Sequence, residues 1–313
     1  MKKTLSLAGA LCACAAVYAG GINTNTNQNA AFLRQMSQEA IIDINGLYMN
    51  PAGTAFLSEG SHLMICLQNA KQSRDIETVF PLFKYNRNNP TDMHAFKGDA
   101  YAPVVPSFMY SHNFDKWSVN ASFALIGGGG KCEFDKGLGS FEALYAGNIY
   151  KTVVTNLTTA LVPVLMQQGL TQEQAMAKGK EMAMQSYQGY SLNAYMKGRQ
   201  YYFGFTLGAN YKVLDNLALG AQLRATYASC NYNGWVEDIH AYYVNPATQQ
   251  TVDQKIDQEL SLNADQKGWG FTPIFSVDWK INEHWNVAAK YEFKTRIRLE
   301  NKSEMNDYTK AAA

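Results

Sequence analysis

The sequence predicts an all-β fold, an antiparallel transmembrane β-barrel, and three observations predict it. Long stretches alternate between apolar and small or polar residues, short and long connections follow each other in turn, and aromatic residues gather at strand ends. Composition agrees, because 47% of the residues are hydrophobic and 12% aromatic while the mean hydropathy is slightly negative at -0.27. A barrel wall gives this combination because its apolar and polar faces cancel along each strand.

The predicted strands come mostly in pairs. The clearest pair covers residues 201–212 and 217–227, a second covers 269–281 and 285–293, and a weaker pair covers 104–111 and 117–126. A single strand over 61–68 brings the count to seven. The clearest strands exceed the roughly 5–6 residues of a soluble strand and match the roughly 9–11 tilted residues that cross a bilayer. A soluble two-sheet sandwich is the alternative fold.

The connections alternate in length. Those within pairs are short, whereas 69–103, 127–199 and 231–268 are long, which is the pattern of periplasmic turns and extracellular loops in outer-membrane barrels. In the longest loop, Thr171 and Gln174 predict a capping box that opens a helix, and residues 157–168 predict a second helix.

The amino terminus has the features of a secretory signal peptide over 1–19. Lys2 and Lys3 precede an apolar run at 5–17, which is shorter than the roughly 20 residues of a membrane-spanning helix. We therefore expect export to the bacterial outer membrane, with a lipoprotein as the alternative because Cys12 and Cys14 weakly match a lipidation site.

The next segment, 20–60, does not alternate, and its apolar content predicts a plug in the barrel instead of a disordered arm. It contains AFLRQMSQEA at 31–40 and ends with Asn50, Pro51, Ala52 and Gly53. With this order the sequence resembles the FadL family, also known as the OmpP1 or aromatic-hydrocarbon transporter family.

The hairpin at 268–294 also looks like a mid-barrel hairpin of the FadL family. The resemblance implies passive transport of long-chain fatty acids or aromatic hydrocarbons, a hatch gated at the Asn-Pro-Ala motif, and a lateral exit at a kinked third strand. A general porin and a non-conducting surface or adhesion protein are the alternatives.

Two further sets of site residues are expected. A strand kink or lateral opening is expected at Gly127, Gly128, Gly129 and Gly130, although a flexible lead-in to the loop explains these glycines equally well. Apolar residues that face the lumen or lie in the loop helices are expected to contact a hydrophobic ligand: Met64, Met109, Ile126, Met176, Met182, Met184 and Ile274. For the loop methionines the alternative is that they pack the loop helices onto the barrel rim.

Several function classes find no support in the sequence. The net charge is +1 with dispersed basic residues, which argues against nucleic acid. The histidines are isolated and no catalytic motif is present, so neither an enzyme nor a cofactor or metal is expected. The expected partners are hydrophobic small molecules, outer-membrane lipid and the barrel-assembly machinery, and a complete barrel is expected to be a monomer.

The predicted organisation is a signal peptide at 1–19, a hatch at 20–60, barrel strands and loops at 61–299 with a helical loop at about 140–199, and the start of a further loop at 300–313. A complete member of the family is expected to have roughly fourteen strands. We therefore expect a truncated barrel that does not conduct by itself.

Overall fold

The computed structural model of this protein describes residues 28–306 and shows a curled half-barrel of antiparallel strands. The strands are β1 (Gly60–Val79), β2 (Met93–Asn113), β3 (Trp117–Phe134), β4 (Tyr187–Leu214), β5 (Leu217–Val244), β6 (Thr251–Lys255), β7 (Leu260–Lys280), β8 (Asn286–Glu292) and β9 (Glu300–Met305). Seven of them pair in the order β1-β2-β3-β4-β5-β7-β8, while β6 pairs with β5 and β9 with β7. The predicted fold class is confirmed. The expected signal peptide and the last residues of the chain lie outside the described residues.

The strands are longer than the sequence predicted, and the long loops are correspondingly shorter. β1 continues to Val79 and β2 begins at Met93, so most of the expected loop 69–103 is strand. β4 and β5 reach 28 residues each for the same reason. The additional residues of β1 are mostly polar on both faces. Those of β2, β4 and β5 mix polar residues with apolar ones such as Phe96, Tyr190 and Ile239, without the regular alternation that predicts a strand.

The two ends of the half-barrel differ. At one end, called the short-turn rim, β4 and β5 are joined by residues 215–216 and β2 and β3 by 114–116. At the other, called the helix rim, α2 (Gly139–Gln167) and α3 (Gln172–Ser186) connect β3 to β4. The predicted capping box at Thr171 is present, and α3 ends where β4 begins, so the helical stretch stops short of residue 199.

The helix rim has its own core. Tyr145, Ile149 and Val153 of α2 pack against Tyr190 of β4 and Ile239 of β5. By length and mean hydropathy α2 also meets the criteria for a membrane-spanning helix. Its apolar side is nevertheless occupied by these strand contacts, which fix the helix to the sheet.

A buried polar network joins α2 to the strands. Glu142 accepts hydrogen bonds from Asn86 (2.6 Å) and Tyr190 (2.8 Å) and pairs with His94 Nδ1 at 2.9 Å. The His94 ring stacks on Phe83 with ring centroids 4.4 Å apart. The Glu142 carboxylate can be buried because these three partners replace the hydrogen bonds that it would otherwise make with water.

Side chains of the half-barrel alternate between a concave and a convex face. The concave residues of β4, β5 and β7 nearest the short-turn rim are mostly small or polar and buried. The convex face exposes a continuous apolar surface, to which Trp117, Val119, Phe205, Leu207, Leu219, Leu223, Trp269, Phe271, Phe275, Trp279, Val287 and Tyr291 contribute. An exposed apolar surface of this extent is the opposite of a soluble sandwich, whose outer faces are polar.

Candidate functional site

The amino-terminal segment, residues 28–59, lies against the concave face. It consists of a short helix, α1 (Ala30–Arg34), and two 3-10 turns, Ile44–Gly46 and Pro51–Phe56. Pro51 occupies the first position of the second turn, where its missing N–H is not needed. Ala52 and Ala55 of this turn pack on Ala218 of β5.

Asn50 connects this turn to the wall at β7. Its side-chain oxygen accepts from the Gly53 amide at 3.3 Å, and its Nδ2 donates to the Ile41 carbonyl at 3.1 Å and to the carboxylate of Asp278. Asp278 is fully buried and also accepts from Asn286 Nδ2 at 3.1 Å. Asn50 therefore caps its own turn and also binds the wall.

Two further asparagines of the wall bind the same turn. Asn210 of β4 donates to the Pro51 carbonyl and to Thr54 Oγ1, both at 2.9 Å. Asn113 of β2 donates to the Thr54 carbonyl at 2.6 Å. The turn can approach β5 closely because residue 220 is glycine. A Cβ at this position would meet the side chains of Asn210 and Ser276. The turn is thus bound by three wall strands, through side chains from widely separated parts of the chain.

A charged cluster holds the segment at a second point. Arg224 of β5 and Glu292 of β8 form a bidentate pair at 2.8 and 2.9 Å, and Lys290 lies 2.9 Å from Glu292. Both cations lie against the ring of Tyr48, 4.8 Å from its centroid for the Arg224 guanidinium and 4.5 Å for the Lys290 ammonium. Lys290 also donates to the Tyr48 carbonyl at 2.7 Å. The charges of Arg224, Lys290 and Glu292 are therefore engaged with each other and with the amino-terminal segment.

The ladder between β2 and β3 has an interruption, called the seam. The two strands pair at Gly98–Asp99 and again at 107–113, but residues 100–106 of β2 and 125–132 of β3 have no partner across this boundary. The β1–β2, β4–β5 and β5–β7 ladders continue through the corresponding level. On its other side β7 also lacks ladder partners between Lys267 and Ile274. The seam lies at the level where the apolar convex surface ends toward the helix rim.

Residues on both sides of the seam explain the interruption. β2 contains Pro103 and Pro106, which have no N–H to donate to a ladder. β3 contains the four glycines, and Gly128 and Gly130 adopt positive φ angles of 104° and 71°. The β3–β4 register shifts twice over the same residues, which is characteristic of β-bulges.

The seam is closed by side chains instead of hydrogen bonds. Ala102 and Val105, which lie on the concave face of β2, pack against Leu125 of β3 and against Tyr201 and Phe203 of β4. Leu125 is register partner to Phe203 on the convex face, yet it is only 5% exposed because β2 covers it. Only a crevice of about 20 Å³ remains, bordered by Tyr101, Gly129 and Lys131 among others.

The structure places the residues expected to contact ligand at several separate points. Met64 and Met109 are register partners on β1 and β2, and Met109 is fully buried. Ile126 lies beside the seam and reaches Gly204, whereas Ile274 is buried on β7 opposite Glu292. These residues do not form one cavity, and their role in ligand binding stays a prediction.

The loop methionines lie at the helix rim. Met176 and Met184 are exposed on α3 and Met182 is half-buried. Met184 lines an open groove of about 540 Å³ with Tyr85, Tyr187 and Lys180. A flexible thioether beside two aromatic rings offers an adaptable apolar surface.

The four glycines lie within β3 and do not end it, because the strand continues to Phe134 after the bulges. Sequence reasoning missed the wall residues that hold the amino-terminal segment, namely Asn210, Asp278, Arg224, Lys290 and Glu292, and it missed Pro103 and Pro106. Pro106 was a usable signal, since a proline inside the predicted strand 104–111 marks a place where its ladder is incomplete, whereas Pro103 belonged to the predicted loop 69–103.

Comparison with known proteins gives limited information. No protein-family model matches the chain, and no curated protein matches it. Among solved structures, it is similar to the CymD monoaromatic hydrocarbon channel, with 12% identity, a TM-score of 0.21, and coverage of 85% of this chain and 92% of that chain. It is also similar to the Ralstonia pickettii toluene transporter TbuX, with 10% identity, a TM-score of 0.19, and coverage of 86% and 98%. Both neighbours agree with the resemblance found in the sequence, but at these values the likeness carries no argument about the function of this chain.

Proposed function

We propose that this chain forms wall and hatch of an outer-membrane β-barrel that passes hydrophobic compounds, and that the seam is their lateral route between the concave side and the membrane. The convex apolar surface supports the membrane placement. On β4 it extends from Tyr201 to Tyr211, which at about 3.3 Å per residue and a tilt of about 40° is roughly 25 Å, the height of the apolar band of such barrels. The helix rim is then extracellular and the short-turn rim periplasmic.

The seam is the observation on which the proposal depends most. Opening a laddered strand pair in lipid exposes backbone groups at several kcal/mol each. At the seam the strands share no ladder bonds over residues 100–106, so separating them costs mainly the apolar contacts of Val105, Ala102 and Leu125. A hydrophobic solute replaces such contacts with its own, whereas a polar solute does not.

The amino-terminal segment acts in this proposal as the hatch. It fills the concave side near the short-turn rim, and its bonds to Asn210, Asp278 and Lys290 keep it there. The concave charges favour a general porin only if they face free water. Because Arg224, Lys290 and Glu292 are engaged with each other and with Tyr48, a hydrophobic cargo is the better explanation.

Chemical cross-linking of the seam tests the proposal. In full-length chain whose Cys66, Cys132 and Cys230 are replaced by alanine, Val105→Cys and Leu125→Cys are joined with a short, cleavable thiol reagent. A matched control joins Ala209→Cys and Ala221→Cys, register partners within the continuous β4–β5 ladder. Intact cells producing each variant as part of a complete barrel are given a labelled long-chain fatty acid, labelled toluene, or a polar solute of similar mass.

We expect the seam cross-link to reduce uptake of the hydrophobic solute, cleavage of the linker to restore it, and the control cross-link to leave it unchanged. The preferred solute of the two distinguishes a fatty-acid route from an aromatic-hydrocarbon route. Uptake of the polar solute alone would support a general porin, and uptake of neither class by producing cells would support a non-conducting surface protein. Either result would overturn the proposal.

A further inference from the structure

A row of cations crosses the convex face immediately beyond the apolar surface, toward the helix rim. Lys131 of β3 and Arg199 of β4 are register partners and therefore lie side by side on the same face. Lys71 of β1 is register partner to Tyr101 of β2, and Tyr101 borders the seam crevice together with Lys131. We call Lys71, Lys131 and Arg199 the cationic row.

In this arrangement the charge of Arg199 has no carboxylate partner among the described residues. Like charges directly opposite each other on neighbouring strands destabilise a sheet. The next row toward the rim contains Asp99, Glu133 and Lys197, and Glu133 pairs with Lys131 at 2.6 Å and with Lys197 at 4.0 Å. Among the described residues Arg199 forms no ion pair. Glu133 is thus shared between Lys131 and Lys197, whereas the guanidinium of Arg199 has no carboxylate partner in the described part of the chain.

The cationic row lies just above the apolar surface, on the side of the helix rim. Arg199 is two residues beyond Tyr201, which ends the apolar surface of β4, so it lies roughly 5 Å above that surface at about 3.3 Å per residue and a tilt of about 40°. Below it are Tyr201, Phe203, Tyr227 and Trp269, whose rings contact one another in sequence on the convex face. Cations directly above an aromatic belt match a lipid molecule, with headgroup anion above and acyl chains below.

We propose that the cationic row is a binding site for the phosphate of a phosphorylated outer-leaflet glycolipid, seated beside the extracellular end of the seam. The planar guanidinium of Arg199 suits bidentate phosphate binding, and the ammonium groups of Lys131 on β3 and Lys71 on β1 add point charges on the side of the seam. The aromatic belt selects a lipid over free phosphate, because a soluble anion gains nothing from it. The inference rests on the membrane placement in the proposed function.

Binding of lipid A by the full-length chain in detergent micelles tests the inference. The affinity of the folded protein is measured for lipid A carrying both phosphates, for the same lipid after enzymatic dephosphorylation, and for inorganic phosphate. The test variant is K131Q/R199Q. The matched control, K116Q/K212Q, removes the same charge at the short-turn rim, and heat-modifiable gel mobility establishes that each variant is folded.

We expect the unmodified chain to prefer phosphorylated lipid A, and K131Q/R199Q to weaken that binding by on the order of tenfold or more, because each cation near an anionic headgroup contributes roughly fivefold. K116Q/K212Q should bind like the unmodified chain. Equal affinity for both lipids, equal loss in both variants, or competition by inorganic phosphate at matched concentration would overturn the inference and leave the transport proposal intact. Failure of the folded chain to associate with any micelle would instead overturn the membrane placement, and both proposals with it.

Discussion

Arg224 and Glu292 form a bidentate ion pair, at 2.8 and 2.9 Å, between β5 and β8 on the concave face. The two strands are not neighbours, since β7 lies between them. The pair therefore crosses over β7 and supports Tyr48 of the amino-terminal segment from below. The position of the amino-terminal segment thus depends on a contact between strands that are far apart in sequence.

Removing one member of this pair should loosen the hatch. Arg224→Met leaves Glu292 with Lys290 as its only cation, and we expect a loss of about 2 kcal/mol, below the 3–5 kcal/mol of a fully buried pair because Glu292 is partly exposed. Replacing both partners by methionine should recover much of the loss, since an apolar pair needs no desolvation of charge. The urea midpoint of hatch release, measured by protease cleavage within residues 28–59, checks this. A double variant less stable than Arg224→Met would contradict it.

Asn210→Ala should weaken the attachment of the amino-terminal segment and leave the strands unchanged. The Asn210 side chain donates to the Pro51 carbonyl, Thr54 Oγ1 and Ser118 Oγ, so Asn210→Ala removes these buried hydrogen bonds at a cost of about 1–3 kcal/mol, although the Pro51 carbonyl keeps its bond from Thr54 Oγ1. We expect faster proteolysis of 28–59 and little change in the barrel's heat-modifiable mobility. Asn69→Ala is the control, because Asn69 is exposed and bonds only Tyr101 and Pro103. Equal proteolysis in both variants would show that Asn210 does not hold the hatch.

Two adjacent glycines of the seam should respond differently to alanine. Gly128 has a φ of 104°, and a Cβ there would collide with the Gln200 carbonyl, so Gly128→Ala should cost at least about 1–2 kcal/mol and shift the β3–β4 register. At Gly129 a Cβ meets almost open space, so Gly129→Ala should be tolerated. Thermal midpoints of heat-modifiability provide the comparison. Equal midpoints would mean that the positive φ at Gly128 is not required.

The β5–β6 hairpin at the helix rim should weaken as the pH rises. The pKa of His240 is raised chiefly by its hydrogen bond to Asp253 of β6, 2.6 Å away, and also by Asp238. A raised folded-state pKa means that the stabilisation is fully present below the unfolded pKa, near 6.5, and is lost as the pH rises through the folded pKa. Amide exchange of residues 251–255 should therefore accelerate, beyond its intrinsic pH dependence, as the pH rises above about 6.5. His240→Gln should remove that excess, and an unchanged excess in the variant would refute the assignment.

Most of the wall was predictable from the sequence. The alternation at 201–212 and 217–227 identified the β4–β5 pair and its short turn, and the capping box at Thr171 identified α3. The strand extensions toward the helix rim were not predictable. Residues such as 69–79 are polar on both faces and owe their strand conformation to ladder bonds with β2, which is a tertiary contact.

The site divides in the same way. The sequence by itself determined which face of each strand is apolar, where the turns lie, and that Asn50 and Pro51 close the amino-terminal segment, because each of these depends on residues within a few positions of one another. Only the tertiary structure decided that Asp278, Asn210 and the Arg224–Glu292 pair meet that segment, and that prolines of β2 face glycines of β3 across the seam. Those contacts join residues up to 228 positions apart, and local periodicity carries no information about which distant strands a curled sheet brings together.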